Sequence, residues 1–246
     1  MNRISKNISW MNSIFADFMV MEKLVVLLLL VTCGSTKSED LTGKAFTFPS
    51  VSATRYATLT PDMEGPFSAV TLCLRSFPDN SRIQTLFSLA TPSHQNAFLL
   101  YKPKKGNYRV HVNDLAHDFF EMPDNQNEWN SVCWTWDGKT GLTQVWVNGK
   151  RSIRVKITTD TVLAGTPIII LGQDQDTYGG GFDKNQCFVG DLTDVHMWNY
   201  VLDICEIQNY MNYFTFTPGN VLNWKALNYK VNDEVLVEPN QSGGCN

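Results

Sequence analysis

From Lys44 onward, apolar and polar residues alternate in short runs of four to ten, each closed by Gly, Pro, Asn or Asp. The runs are KAFTFPS (44–50), RYATLTP (55–61), SAVTLCLRSF (68–77), QTLFSLAT (84–91), AFLLYK (97–102), YRVHVND (108–114), NSVCWTWD (130–137), TQVWVNGK (143–150), PIIILG (167–172) and DVHMWNYV (194–201). Period-two alternation in segments rich in β-branched and aromatic residues predicts strands with one buried face. In RYATLTP, Tyr56, Thr58 and Thr60 fall on one face, and Ala57 and Leu59 on the other. Asp137-Gly138 and Asn148-Gly149 are hairpin-turn dipeptides flanking the strand around Trp146. One segment breaks the pattern. LDICEIQNYMNYF (202–214) spaces Leu202, Cys205, Ile207, Tyr210, Met211 and Phe214 three and four apart. Asp203 stands there as an N-cap, with Glu206 at the capping-box position. The prediction is an all-β, antiparallel two-sheet sandwich in one domain, with one short amphipathic helix.

Charge and the N-terminal region change the picture next. The 246-residue chain is 43% hydrophobic with a net charge of −4 and no long basic run, which disfavours nucleic acid and anionic membranes as partners. From Met21, MEKLVVLLLLVTCGS places a lysine before the apolar run Leu24–Val31 and small residues after it, the pattern of a secretory signal. That run is too short to span a hydrocarbon core of about 30 Å. Met21 is therefore expected as the working start. Residues 1–35 are read as an extension plus signal peptide, and 36–246 as a single secreted domain with a flexible C-terminal tail. Secretion permits disulfides. Cys73, Cys133, Cys187, Cys205 and Cys245 are an odd set, so at least one thiol is free or shared between chains. Asn240, in NQS, is an N-glycosylation acceptor.

The segment LGQDQDTYGGGFDKNQCFVGD (171–191) carries the candidate chemistry. Its oxygens come from Asp174, Gln175, Asp176, Asp183 and Gln186, and Gly179, Gly180 and Gly181 let the chain fold back. Calcium takes about six to eight oxygen ligands from carboxylates, amides and backbone carbonyls. In an extended segment Asp174 and Asp176 point the same way, about 7 Å apart. An EF-hand starting at Asp174 fails, because Tyr178 and Asn185 occupy ligand positions five and twelve. A glycosidase needs one carboxylic acid of raised pKa, which nothing in the sequence supplies. No nucleophile–base arrangement appears, and His94, His111, His117 and His196 lack paired metal spacing, so the chain is read as not an enzyme. On these residues alone, a calcium loop and a solvated acidic loop both remain open.

Several separated motifs decide the matter by resemblance. KAFTFP (44–49), the stretch from Ile168 through the acidic loop to Leu202, and VLNWKALNY (221–229) resemble, in order, the pentraxins, the secreted lectin-like family of C-reactive protein and serum amyloid P component. Cys133, Thr135 and Trp136 match the family signature, whose first and last positions differ here. The resemblance implies a jelly-roll sandwich of the lectin and laminin-G-like type, with a Cys73–Cys133 disulfide. It also implies two calcium ions per subunit. Gln95 and Asn96 would serve one side. Asp174, the Gln175 carbonyl and Asp176 follow, with Asp183 and Gln186 completing the second ion. Gln95 departs from the family's aspartate, and Asp174 and Asp183 stand where glutamate is common, so a weaker site is expected nearest Gln95. Leu99, Tyr101 and His111 match the family's ligand pocket. Its choline-facing acid has no clear counterpart here, leaving Asp114 or Asp118 as substitutes. The implied function is a calcium-dependent pattern-recognition lectin of innate immunity, acute-phase in type, assembled as a cyclic pentamer. Its ligands would be phosphocholine, phosphoethanolamine or anionic glycans on microbial surfaces, with complement and Fc receptors as further partners. The alternative is a laminin-G-like adhesion module binding protein or glycosaminoglycan.

Overall fold

A computed structural model describes residues 38–79 and 82–241. The signal segment, Cys33 and Cys245 lie outside them. The alternating runs pair into two antiparallel sheets. One sheet contains β1 (Lys44–Phe48), β3 (Ala69–Pro78), β8 (Asn130–Asp137), β9 (Leu142–Val147), β10 (Lys150–Arg151), β11 (Val155–Lys156), β13 (Gly190–Trp198) and β15 (Leu236–Pro239). Its order is β10-β9-β8-β3-β13-β1-β15, with β11 also pairing β9. The second sheet contains β2 (Tyr56–Thr60), β4 (Gln84–Ala90), β5 (Phe98–Lys104), β6 (Asn107–Val112), β7 (Leu115–Phe119), β12 (Ile168–Leu171) and β14 (Asn228–Asn232). It runs β14-β2-β12-β4-β5-β6-β7.

The apolar positions of both sheets meet in one core that includes Phe46, Leu72, Leu74, Phe87, Phe98, Trp134 and Leu192. Phe98 stacks flat on Trp134 at 3.5 Å between ring centroids. In β2 the alternation is as predicted: Ala57 and Leu59 are buried, and Thr60 is exposed. The central strands β3, β4 and β8 are buried almost throughout. For β3 and β8 the reason lies on their outer faces. Helix α1 (Ile204–Met211) covers a second cluster of Cys73, Cys133, Trp146, Trp198, Leu202, Ile207, Tyr210 and Met211. Cys73 and Cys133 sit directly opposite one another in the β3–β8 ladder and are disulfide-bonded. Cys187 and Cys205 are free.

Three local expectations change. Asp203 caps α1 by accepting from the Cys205 N–H at 2.7 Å, but the Glu206 carboxylate accepts from Thr217 N–H at 2.8 Å, so the capping box is half-made. The apolar stripe is also shorter than predicted, because Cys205 and Phe214 are exposed. The β9–β10 turn is built on Asn148 and Gly149, with φ of 47° and 80°, as the dipeptide predicts. The β8–β9 turn instead places Gly141, not Gly138, at positive φ, and the Gly141 N–H bonds the Asp137 carbonyl at 2.8 Å.

Buried Arg75 ties the disulfide-bearing sheet to the helix. Its guanidinium donates to Asp194 at 3.0 Å, to the Tyr210 carbonyl at 2.6 Å and to Ser131, and lies over the Tyr213 ring. The Cys73–Cys133 link closes a loop of 60 residues, for which chain-entropy arguments give about 4 kcal/mol. The double variant C73A/C133A is expected to lower unfolding free energy by about 2–4 kcal/mol in denaturant titration, with the same calcium-loop properties as wild type.

Candidate calcium and ligand site

Strand β12 ends at Leu171, and the next residue, Gly172, has a φ of +88° and would bring an added Cβ to 2.3 Å from the Phe48 ring. Only glycine turns the chain there. Gln173 then donates its amide to the carbonyls of Ser52 and Arg55 at 2.7 and 2.9 Å. Gln175 is fully buried. Its amide Nε2 reaches the Ser88 carbonyl, the Ser88 hydroxyl and the Ile168 carbonyl, each at 3.1 Å, while its Oε1 accepts from Gly179 N–H at 3.0 Å. Those bonds tie the side chain to the sheet and to the loop backbone, and its role is to fold the loop back over β4.

Thr177 and Gly180 exchange backbone hydrogen bonds at 3.1 and 3.0 Å. Gly181, at φ +76°, would bring a Cβ to 2.9 Å from Thr177 N. The returning chain is pinned at Gln186, whose carbonyl accepts from both the N–H and the hydroxyl of Thr85 at 2.9 Å. Thr85 pairs with Tyr101 on β5, so Gln186 arrives beside the Tyr101 phenol.

Burial and neighbouring carboxylates set the site's electrostatics. Burial, and then the charge of Asp176, push the Asp174 carboxyl up to about 7. Burial and then Asp183 raise Asp176 in turn. Asp174 Oδ1, Gln186 Oε1 and Asn96 Oδ1 are buried side-chain oxygens without a hydrogen-bond partner. Unsatisfied buried acceptors each cost about 1–3 kcal/mol. Acceptors of these types, without donors, fit a hard cation such as calcium. Among the described residues no group of three or more His, Cys, Asp or Glu side chains gathers around a single point. A cation held here would therefore draw on amide and backbone oxygens as well as carboxylates.

Asn96 lies in the β4–β5 turn, at the sheet end towards which Gln175 pulls the loop through Ile168, the partner of Ala90. Its N–H donates to Asp114 Oδ1 at 2.9 Å, and Asp114 Oδ2 meets His94 Nδ1 at 2.8 Å. Gln95 is exposed. On the pocket side, Leu99 and His111 pair across β5 and β6, as do Tyr101 and Arg109. Leu99 is almost wholly covered. Burial, then Asp174, raises the Tyr101 phenol; burial, then Arg109, lowers His111. Neither candidate substitute for a choline-facing acid stands free. Asp114 is engaged by His94 and Asn96, and Asp118 is bound by Arg109 through Nε at 3.1 and 3.2 Å and Nη2 at 2.8 Å. Arg109 and the anchoring amides of Gln173 and Gln175 escaped sequence reasoning, since strand alternation marks Arg109 only as outward-facing.

The Pentaxin family model, which describes the pentraxins, matches residues 44–239. The chain belongs to the pentraxin family. C-reactive protein of Sus scrofa is 42% identical to this pentraxin over 221 residues, covering 89% of this chain and 98% of that protein. Serum amyloid P-component of Rattus norvegicus is 39% identical over 203 residues, covering 81% and 87% respectively. The native heptameric SAP-like pentraxin from Limulus polyphemus superposes with a TM-score of 0.74 at 22% identity, over 82% of this chain and 97% of that one. Pentraxins are non-enzymatic recognition proteins, so this pentraxin is not read as an enzyme. No helix among the described residues is long and apolar enough to cross a membrane.

A raised Asp174 means that the metal-free fold keeps a proton which the unfolded chain releases. Its stabilising effect is complete below the ordinary value of 3.8 and is lost as pH rises towards about 7. In chelator, the stability advantage of D174N over this pentraxin's wild type is expected to grow by about 2–3 kcal/mol between pH 5 and 8, read from denaturant midpoints.

Proposed function

We propose that this chain is a secreted, calcium-dependent pattern-recognition lectin of innate immunity, of acute-phase type. The observation that carries the reading is the set of buried, partnerless oxygens of Asn96, Asp174 and Gln186, with the carboxyls of Asp174 and Asp176 both raised by burial and by a neighbouring carboxylate. Two calcium ions would draw on Gln95, Asn96, Asp174, the Gln175 carbonyl, Asp176, Asp183 and Gln186. Bound calcium offers an open position to a phosphate or carboxylate oxygen. The residues do the rest: Gln175 holds the loop, Thr85 holds Gln186, and Leu99, Tyr101 and His111 form the neighbouring wall.

Secretion is inferred from a leader at 21–35, with Met21 as working start and 36–246 as the mature domain; the serum name of one relative supports it. Asn240, at the end of β15, remains the proposed glycosylation acceptor. A cyclic homo-oligomer is inferred, with avidity turning weak single sites into firm attachment to microbial surfaces. The pentamer is the proposed size, and the relative named as heptameric marks the competing count. Complement and Fc receptors are the proposed effector partners.

Mature protein on phosphoethanolamine and phosphocholine resins is expected to be retained in calcium and released by chelator. Retention indifferent to calcium would instead favour an adhesion module. Replacing Gln95 by Asp restores a carboxylate beside Asn96, and calorimetry is expected to show calcium binding tightened by about 3–10-fold. Unchanged affinity would remove Gln95 from the coordinating set.

A further inference from the structure

We infer that Arg109 fixes the ligand class at this site, selecting molecules that carry a second oxyanion beside the one received at the calcium loop. This rests on the calcium-lectin reading above. Arg109 lies on β6, opposite Tyr101 on β5 and Asp118 on β7, so the three side chains share one row on the outer face of the sheet. Tyr101 borders Asp174 and Gln186. The guanidinium is therefore the next group outward from the loop.

Its geometry is set in advance. Nε and Nη2 both bind Asp118, which locks the plane of the fork, while Nη1 has no hydrogen-bond partner among the described residues. The side chain is 39% exposed. An oriented edge of N–H donors suits a planar or tetrahedral oxyanion. A quaternary ammonium meets the opposite situation. Asp118 is engaged by Arg109, Asp114 is engaged by His94 and Asn96, and Leu99 offers almost no open apolar surface. The carboxylates of the loop would be committed to calcium.

Two matched probes test the inference by calorimetry in calcium: 3-phosphoglycerate, with phosphate and carboxylate, and glycerol 3-phosphate, which has one hydroxymethyl group in place of that carboxylate. Wild type is expected to favour 3-phosphoglycerate by about 5–20-fold. R109Q is expected to bring that ratio near one, and R109K to leave an intermediate ratio. Equal affinities in wild type, or a preference that survives R109Q in a folded protein, overturn the role of Arg109 while leaving the lectin reading intact. Failure of both phosphates to bind in calcium overturns both.

Discussion

The site depends on one buried side-chain amide. Gln175 has every donor and acceptor of its amide engaged, bridging Ser88 on β4, Ile168 on β12 and Gly179 in the loop itself. A loop so acidic would otherwise extend into water, where each carboxylate is best solvated. The amide network holds it against the sheet instead, and that position brings Asp174 and Asp176 into mutual repulsion. The cost is local: a carboxyl displaced to about 7 and acceptors buried without donors. Elsewhere the same fold satisfies its buried charges. Arg75 has Asp194, Ser131 and the Tyr210 carbonyl, and Lys102 has Asp124 at 2.8 Å. Arg75 and Lys102 thus have buried charge with its partner present, whereas the loop buries an Asp174 carboxylate oxygen with no donor beside it.

The two sheets divide the remaining work. On the eight-stranded sheet, the outward positions of β3 and β8 carry the disulfide and receive α1, so that sheet is covered on both faces near its centre. On the seven-stranded sheet, the outward rows of β5, β6 and β7 carry Tyr101, Arg109, His111 and Asp118, and they stay partly open. The same period-two rule that fills the core thus generates a rigid covered face and an open polar one. Rigidity in the first helps precision in the second, because β4 and β5, which anchor the loop, share the central core with β3 and β8.

Much of this was legible in the letters. Alternation located the central strands, and the glycines of the loop marked its reversals. Family motifs paired Cys73 with Cys133 and assembled a ligand set. What the letters hid was register. β7 reads as LAHDF (115–119), with no clean alternation, yet its pairing with β6 sets Asp118 against Arg109 and removes it as a free anion. Asp114 likewise seemed available until the β6–β7 turn put it under Asn96. The capping box failed because Thr217, eleven residues on, takes Glu206. The anchoring role of the Gln175 amide was hidden because its partner Ser88 lies far away in sequence. Each miss is a non-local partner claiming a group that local pattern left free.

Two side chains act on the site's potential in the same direction. Gln95 presents a neutral amide on the cation side, where the family resemblance implies a carboxylate, and Arg109 sets a guanidinium on the ligand side. Asp118 offsets most of that second charge, yet the offset is geometric as well as electrostatic, because it aims the remaining N–H donors. On the calcium-lectin reading, lower negative charge weakens the hold on the ions while favouring anions above them. The balance is kept by position: Asp114 holds Asn96 in place through its backbone N–H, preserving one amide oxygen where a neighbouring carboxylate is absent. A site can therefore give up charge at Gln95 without giving up its shape, and shape is what lets Arg109 act on the ligand rather than on the loop.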